Sequence, residues 1–325
     1  MDWFPLLCTM SQPLINKGFK PLSQLSVFLG VAGVSMIAAG VAGYIIALIA
    51  KIPITDPQSM MQPQFANALK VMQVVTTLIV FGLPAILYAF ICYKNGWAAL
   101  GLNKSRNMKI GLLAIVIIIA AAPLTDALGT LNKAIPLSDS LRAYFDSKEA
   151  MYETQVKAML DIGSAKGLLI SLVLIAFLPA MLEEFFFRGA LQGMLTRWIG
   201  KPWLAIVVTA VIFSAIHLSW YGFLPRAMLG IVLGAVFYIT GNLWYSVLMH
   251  FVNNAAAVIF LYAQQAQGKP VDVSQTTIFP LWAGAISLLV IAGLIMWLAK
   301  LHPPKTVTEV FDARIDPFAK SAETI

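Results

Sequence analysis

An all-α, polytopic transmembrane helix bundle of about eight spans is the fold class this sequence predicts. Composition is the first observation behind it. Of 325 residues, 59% are hydrophobic and only 11% are charged, where soluble domains carry about 25% charged residues. The second is patterning: the apolar residues fall in long runs, each a candidate to cross a hydrocarbon core of about 30 Å, and the mean hydropathy is +0.81. The third is that a few ionisable and amide side chains sit inside these runs, close together in the chain.

Taken in order, the runs cover residues 26–50, 71–92, 110–127, 166–187, 203–220, 224–240, 243–263 and 279–300. The third and the fifth to seventh are short or interrupted by polar residues and prolines. The opening MDWFPLLCTMSQPL has neither a cationic n-region nor a cleavage site, so the first run reads as an uncleaved anchor. Residues 1–25 then form a cytoplasmic N-terminal segment and 26–301 one membrane domain. A polar cytoplasmic tail, 302–325, begins at His302-Pro303-Pro304. Between the third and fourth runs, Leu141, Tyr144, Met151 and Val156 recur at helical spacing. Segment 128–165 is therefore expected to hold an amphipathic helix, either on the outer surface capping a cavity or as a solvated connector.

Lys and Arg set the expected orientation. With both termini inside, the inner segments hold Lys17 and Lys20, then Lys94, Lys104, Arg106 and Lys109, then Arg188, Arg197 and Lys201, and finally Lys300, Lys305, Arg314 and Lys320. This arrangement suits a multi-pass protein of a bacterial plasma membrane. The net charge of +7 is scattered and fits contact with anionic lipid. No basic stretch is interleaved with aromatics, so nucleic acid is not an expected partner. Cys8 and Cys92 are expected as free thiols, and their spacing suggests no metal site.

The chemistry concentrates around Glu183 and Glu184, which interrupt the apolar run Leu168–Phe187. A charge at the bilayer centre costs roughly 2.5–3.5 kcal/mol on insertion scales, so two adjacent carboxylates need a protein interior or a wet cavity. Arg188 lies four residues after Glu184, the favourable spacing for an ion pair on one helix face. Glu183 is turned about 100° away and is freer to act as a base. His217 lies on the next run, beyond the breaker Gly200-Lys201-Pro202. Counting outward from that turn, Glu184 and His217 are each roughly 25 Å up their helices at ~1.5 Å per residue. His250 and Asn254, four apart and so on one face, lie roughly 13–19 Å from Gly241-Asn242 on the same arithmetic. Two carboxylates, two imidazoles and an amide therefore come to comparable depth. A carboxylate with an imidazole can deprotonate water, and a second imidazole with an amide can hold an oxyanion.

These residues resemble the membrane-embedded CAAX protease and bacteriocin-processing family, also called CPBP or Abi, which includes the prenyl-protein proteases. Its patterns Glu-Glu-x-x-x-Arg, Phe-x-x-x-His and His-x-x-x-Asn appear as Glu183-Glu184-Phe185-Phe186-Phe187-Arg188, Phe213-Ser214-Ala215-Ile216-His217 and His250-Phe251-Val252-Asn253-Asn254. Order and spacing match, over about residues 166–260. The resemblance implies a metal-independent, cofactor-free endopeptidase acting on CAAX-like, bacteriocin or other membrane-associated peptides. In it Glu183 would activate water with help from His217, and His250 with Asn254 would form the oxyanion site. Glu184 and Arg188 would support the electrostatics, with Phe213 beside them. Asn253 is an extra amide without an assigned role. The chain ends Ala-Glu-Thr-Ile and has no CAAX box of its own.

Three other readings compete. Two His and one Glu can bind catalytic zinc, although no His-Glu-x-x-His motif is present and the adjacent Arg disfavours a cation. A proton-coupled transporter would use the glutamates as carriers, but no inverted repeat is visible. A non-catalytic scaffold or immunity protein would keep the fold and use the same groups as interhelical hydrogen bonds.

Overall fold

Among the described residues, seven helices are long and apolar enough to cross a membrane, and one shorter apolar helix accompanies them. The computed structural model describes residues 16–60, 62–102, 107–160, 163–268 and 279–302. Cys8, the basic residues Lys104 and Arg106, and the tail beyond residue 302 lie outside the described residues. The spanning helices are α1 (Pro21–Ile49), α2 (Pro63–Cys92) and α3 (Met108–Ala134). A surface helix, α4 (Asp139–Met159), follows. The chain continues through α5 (Ala165–Ile199), the short α6 (Pro202–Ala215), α7 (Phe223–Thr240), α8 (Leu243–Ala266) and α9 (Leu281–Leu301). Among the described residues there is no strand, only an isolated bridge between Asn16 and Tyr93. Cys92 is a buried free thiol.

Burial along the spans locates the centre. The most apolar windows of α1 and α9 are 17% and 22% buried within the protein, whereas that of α7 is 56% buried. Helices α1 and α9 thus present apolar faces outward, as lipid contact requires, and α7 lies inside. Two apolar cores flank the middle. One joins Phe28, Tyr88, Phe187, Met194 and Phe213 from α1, α2, α5 and α6. The other joins Ile117, Leu233, Met249 and Leu298 from α3, α7, α8 and α9.

Two expected boundaries are corrected. The fourth run does not end at residue 187, because α5 continues to Ile199 and is 35 residues long, roughly 50 Å at ~1.5 Å per residue. Arg188 and Arg197 are therefore in a helix and not in an inner loop. Arg188 is fully buried, and Arg197 stacks over Tyr93 at 5.0 Å and donates to the Tyr88 hydroxyl. The loop-charge count that set the orientation loses both residues, since an arginine satisfied by aromatic and polar partners need not face the cytoplasm. The fifth run, expected over 203–220, forms a helix only over Pro202–Ala215, 14 residues. At about 21 Å it is too short to span alone.

Proline explains part of the geometry of α5. A proline inside a helix removes one hydrogen bond and clashes with the carbonyl four residues back. In α2 a π-helical segment, Leu78–Gly82, immediately precedes Leu83-Pro84. In α5 another, Leu172–Phe177, precedes Leu178-Pro179. Each widened turn makes room for the ring. A third π segment, Phe185–Gln192, contains no proline and starts directly after Glu184. Such segments recur at functional sites, and this one carries Arg188.

Helices α6 and α7 are packed against each other at Gly230. A Cβ added there would lie 2.8 Å from the Ala210 Cβ and 3.0 Å from its Cα, closer than real contacts allow. The Gly230 carbonyl also accepts from Arg188 Nη2 at 3.3 Å. Gly230→Ala should therefore destabilise the protein by about 1–3 kcal/mol, the usual cost of overpacking. Thermal unfolding in detergent would measure it, and an unchanged midpoint would contradict the tight α6–α7 contact.

Candidate active site

The adjacent glutamates occupy different environments. Glu184 and Arg188 are both 0% exposed, and Arg188 Nη1 donates to Glu184 Oε1 at 2.7 Å. Glu183, rotated on around the helix, keeps 12% of its side chain exposed. One carboxylate is sealed in a salt bridge and its neighbour opens outward. This follows from helical rotation between consecutive residues once α5 has fixed which face meets α7 and α8.

His250, on α8, joins the two. Its Nδ1 lies 2.9 Å from the Glu184 oxygen that Arg188 also contacts, and its Nε2 lies 3.9 Å from Glu183 Oε2. With Nδ1–H donating to Glu184, the remaining ring nitrogen faces Glu183. The other oxygen of Glu184, Oε2, is buried with no hydrogen-bond partner among the described residues.

His217 is not on a helix. Helix α6 stops at Ala215, and His217 follows in an exposed turn. Its Nδ1 lies 2.7 Å from the Phe213 carbonyl oxygen, which can only accept. Nδ1 therefore carries the proton, and Nε2 is left with its lone pair. The Phe213 ring lies 5.0 Å from the His217 ring, 5.9 Å from the His250 ring and 4.6 Å from the Arg188 guanidinium. Phe213 thus touches both imidazoles and the guanidinium. The imidazole that approaches Glu183 is His250, whereas His217 is held by the Phe213 carbonyl.

Asn254 is half-buried one turn after His250, and its Oδ1 accepts from Asn253 Nδ2 at 3.2 Å. That contact occupies the amide oxygen of Asn254 and turns its NH2 group away from Asn253, which gives the extra amide a structural partner. Among the described residues no group of three or more His, Cys, Asp and Glu is arranged to hold a metal ion. The position beside Glu184 where a cation would sit is taken by the Arg188 guanidinium.

Residues 165–256 match the family model described as Type II CAAX prenyl endopeptidase Rce1-like. This segment is similar to that family. It covers less than a third of the 325 residues, from the start of α5 into α8, and it contains every side chain of the acidic, histidine and amide motifs. No curated protein and no solved structure matches the chain. The Rce1-like match and the seven apolar helices support a multi-pass membrane protein, similar over this segment to a CAAX-type protease family, whose members hydrolyse peptide bonds. Asn132 at the end of α3 and Glu149 on α4, which hydrogen-bond to the chain just after His217, lie outside the matched segment. Neither has a sequence signal of its own, because their partners are some 70–90 positions away in the chain.

Proposed function

We propose that the protein is an intramembrane glutamic endopeptidase that cleaves a peptide bond near the C-terminus of a membrane-associated, CAAX-like peptide without a metal ion. The observation that carries this reading is the asymmetry of the two glutamates, one neutralised in a sealed ion pair and the other open beside an imidazole. A base must reach water, and a structural charge must not.

In this mechanism Glu183 takes a proton from a water molecule as its oxygen attacks the scissile carbonyl carbon, with His217 Nε2 accepting a hydrogen bond from the same water. The carbonyl oxygen becomes an oxyanion, held by His250 Nε2–H and the Asn254 NH2 group. Glu184 orients the His250 ring through Nδ1, and Arg188 holds the Glu184 carboxylate in place. Collapse of the tetrahedral intermediate breaks the C–N bond, and the proton held by Glu183 passes to the leaving nitrogen. Electrostatic stabilisation of this kind is worth on the order of 10²–10³ in rate per donor. The bilayer supplies the medium, and substrate enters from the cytoplasmic side or laterally from the inner leaflet.

The test is purified full-length protein in detergent or liposomes with a farnesylated peptide ending in Cys-aliphatic-aliphatic-X. Release of the C-terminal fragment, undiminished by millimolar chelator, is expected. Cleavage abolished by chelator and restored by zinc would overturn the metal-free mechanism. No cleavage of this peptide or of a panel of bacteriocin-leader peptides would overturn the enzymatic reading in favour of a scaffold.

A further inference from the structure

The turn that carries His217 is held from several sides, and four of the residues that hold it, Asn132, Phe145, Asp146 and Glu149, lie outside the Rce1-like segment. Asn132, at the end of α3 and fully buried, donates from Nδ2 to the Trp220 carbonyl at 2.8 Å and accepts at Oδ1 from the Leu224 backbone N–H at 2.9 Å. From α4, Glu149 Oε2 accepts from Ser219 Oγ at 2.8 Å, and Asp146 Oδ1 accepts from the Tyr221 hydroxyl at 2.5 Å. Phe145 stacks on Trp220 with ring centroids 5.6 Å apart. Within the matched segment, Arg226 Nη2 donates to the Ser219 carbonyl at 2.7 Å, and Ser214 Oγ to the Phe223 carbonyl at 2.6 Å.

The turn needs this. Leu218, directly after His217, has φ of +52°, a conformation unfavourable for a residue with a branched side chain. Such geometry persists where the surroundings impose it. The other end of α4 is fixed too, since Val156 and Met159 are buried and Ala158 packs on the cluster of Ala47, Ile52 and Leu69. Helix α4 is therefore a strut running from α1 and α2 to the His217 turn.

We propose that Glu149 and Asn132 are positioning residues for His217, holding the turn through Ser219 and through the Trp220–Leu224 backbone so that the imidazole stays beside the reacting water. This rests on the reading that His217 assists water activation. Neither residue touches substrate in this scheme. Their loss should therefore slow the chemical step and leave substrate binding nearly unchanged, because small misplacements of a catalytic group lower rate steeply.

The experiment compares Glu149→Leu, Glu149→Gln and Asn132→Ala in the full-length protein, each also in a His217→Ala background. The substrate is the farnesylated peptide. Glu149→Leu and Asn132→Ala are expected to lower kcat on the order of tenfold with KM within about twofold. Glu149→Gln, whose amide oxygen still accepts from Ser219, should stay close to wild type. In the His217→Ala background the same changes should cost less than about twofold, since coupled residues are non-additive. Equal losses in both backgrounds would mean a general structural role and would overturn the proposal, as would undiminished kcat in both Glu149→Leu and Asn132→Ala. If Asn132→Ala does not fold, Glu149→Leu on the surface helix decides alone. Full activity of His217→Ala itself would overturn the water-activation reading and this inference together, whereas Glu183→Gln reports on that reading without touching the turn.

Discussion

Glu183→Gln is expected to lower turnover of the farnesylated peptide by on the order of 10²–10⁴, the range for loss of a general base, with little change in unfolding temperature. The substitution keeps the shape of the side chain and removes the proton acceptor. Glu183 makes no close ion pair, its nearest imidazole nitrogen being 3.9 Å away, and its side chain is partly open. Removing its charge therefore leaves no buried partner stranded. Steady-state hydrolysis and a melting curve on the same sample separate the two effects. Turnover within about threefold of wild type would remove Glu183 from the mechanism. A large loss of stability would instead make it a structural residue.

Glu184→Gln should behave in the opposite way, with loss of stability as its main effect. Its carboxylate is fully buried and shared by Arg188 at 2.7 Å and His250 at 2.9 Å. Neutralising it strands a buried guanidinium, and breaking a buried pair from one side costs about 3–5 kcal/mol. Arg188 then has only neutral partners among the described residues, the amide oxygen at 184, the Gly230 carbonyl and the Phe213 ring, which do not balance a charge. The double variant Glu184→Gln with Arg188→Met should be more stable than Glu184→Gln alone, because it removes both charges. Activity should stay low in both, since His250 loses the carboxylate that faces its Nδ1. Thermal unfolding of the two variants in the same detergent tests this. A double variant less stable than Glu184→Gln would show that the pair acts by packing and not by charge compensation.

The two sets of effects differ because the adjacent glutamates differ in burial, and burial marks the boundary between sequence and structure in this protein. Hydropathy and run length alone determined an all-α membrane bundle, because backbone groups in lipid must be satisfied within a helix and long apolar runs leave no other solution. Spacing alone determined that Glu184 could pair with Arg188, since the i to i+4 relation is a property of any helix. The order of the three motifs carried the family resemblance, and the match over 165–256 falls on the same residues.

Only the tertiary structure decided the rest. Whether α5 stops at 187 or runs on to Ile199 depends on whether Arg188 and Arg197 find partners, and those partners come from α2 and α7 as well as from α5 itself. A short apolar run cannot reveal that α6 ends at Ala215, because the turn is stabilised by Asn132, Asp146 and Glu149 from far upstream. The approach of His250 to Glu183 and the contacts of Phe213 with both imidazoles likewise come from how α5, α6 and α8 are rotated about their axes. Local sequence fixes a helix's period and roughly its length. The face each helix turns inward is set by side chains packing across distances along the chain that no local pattern records.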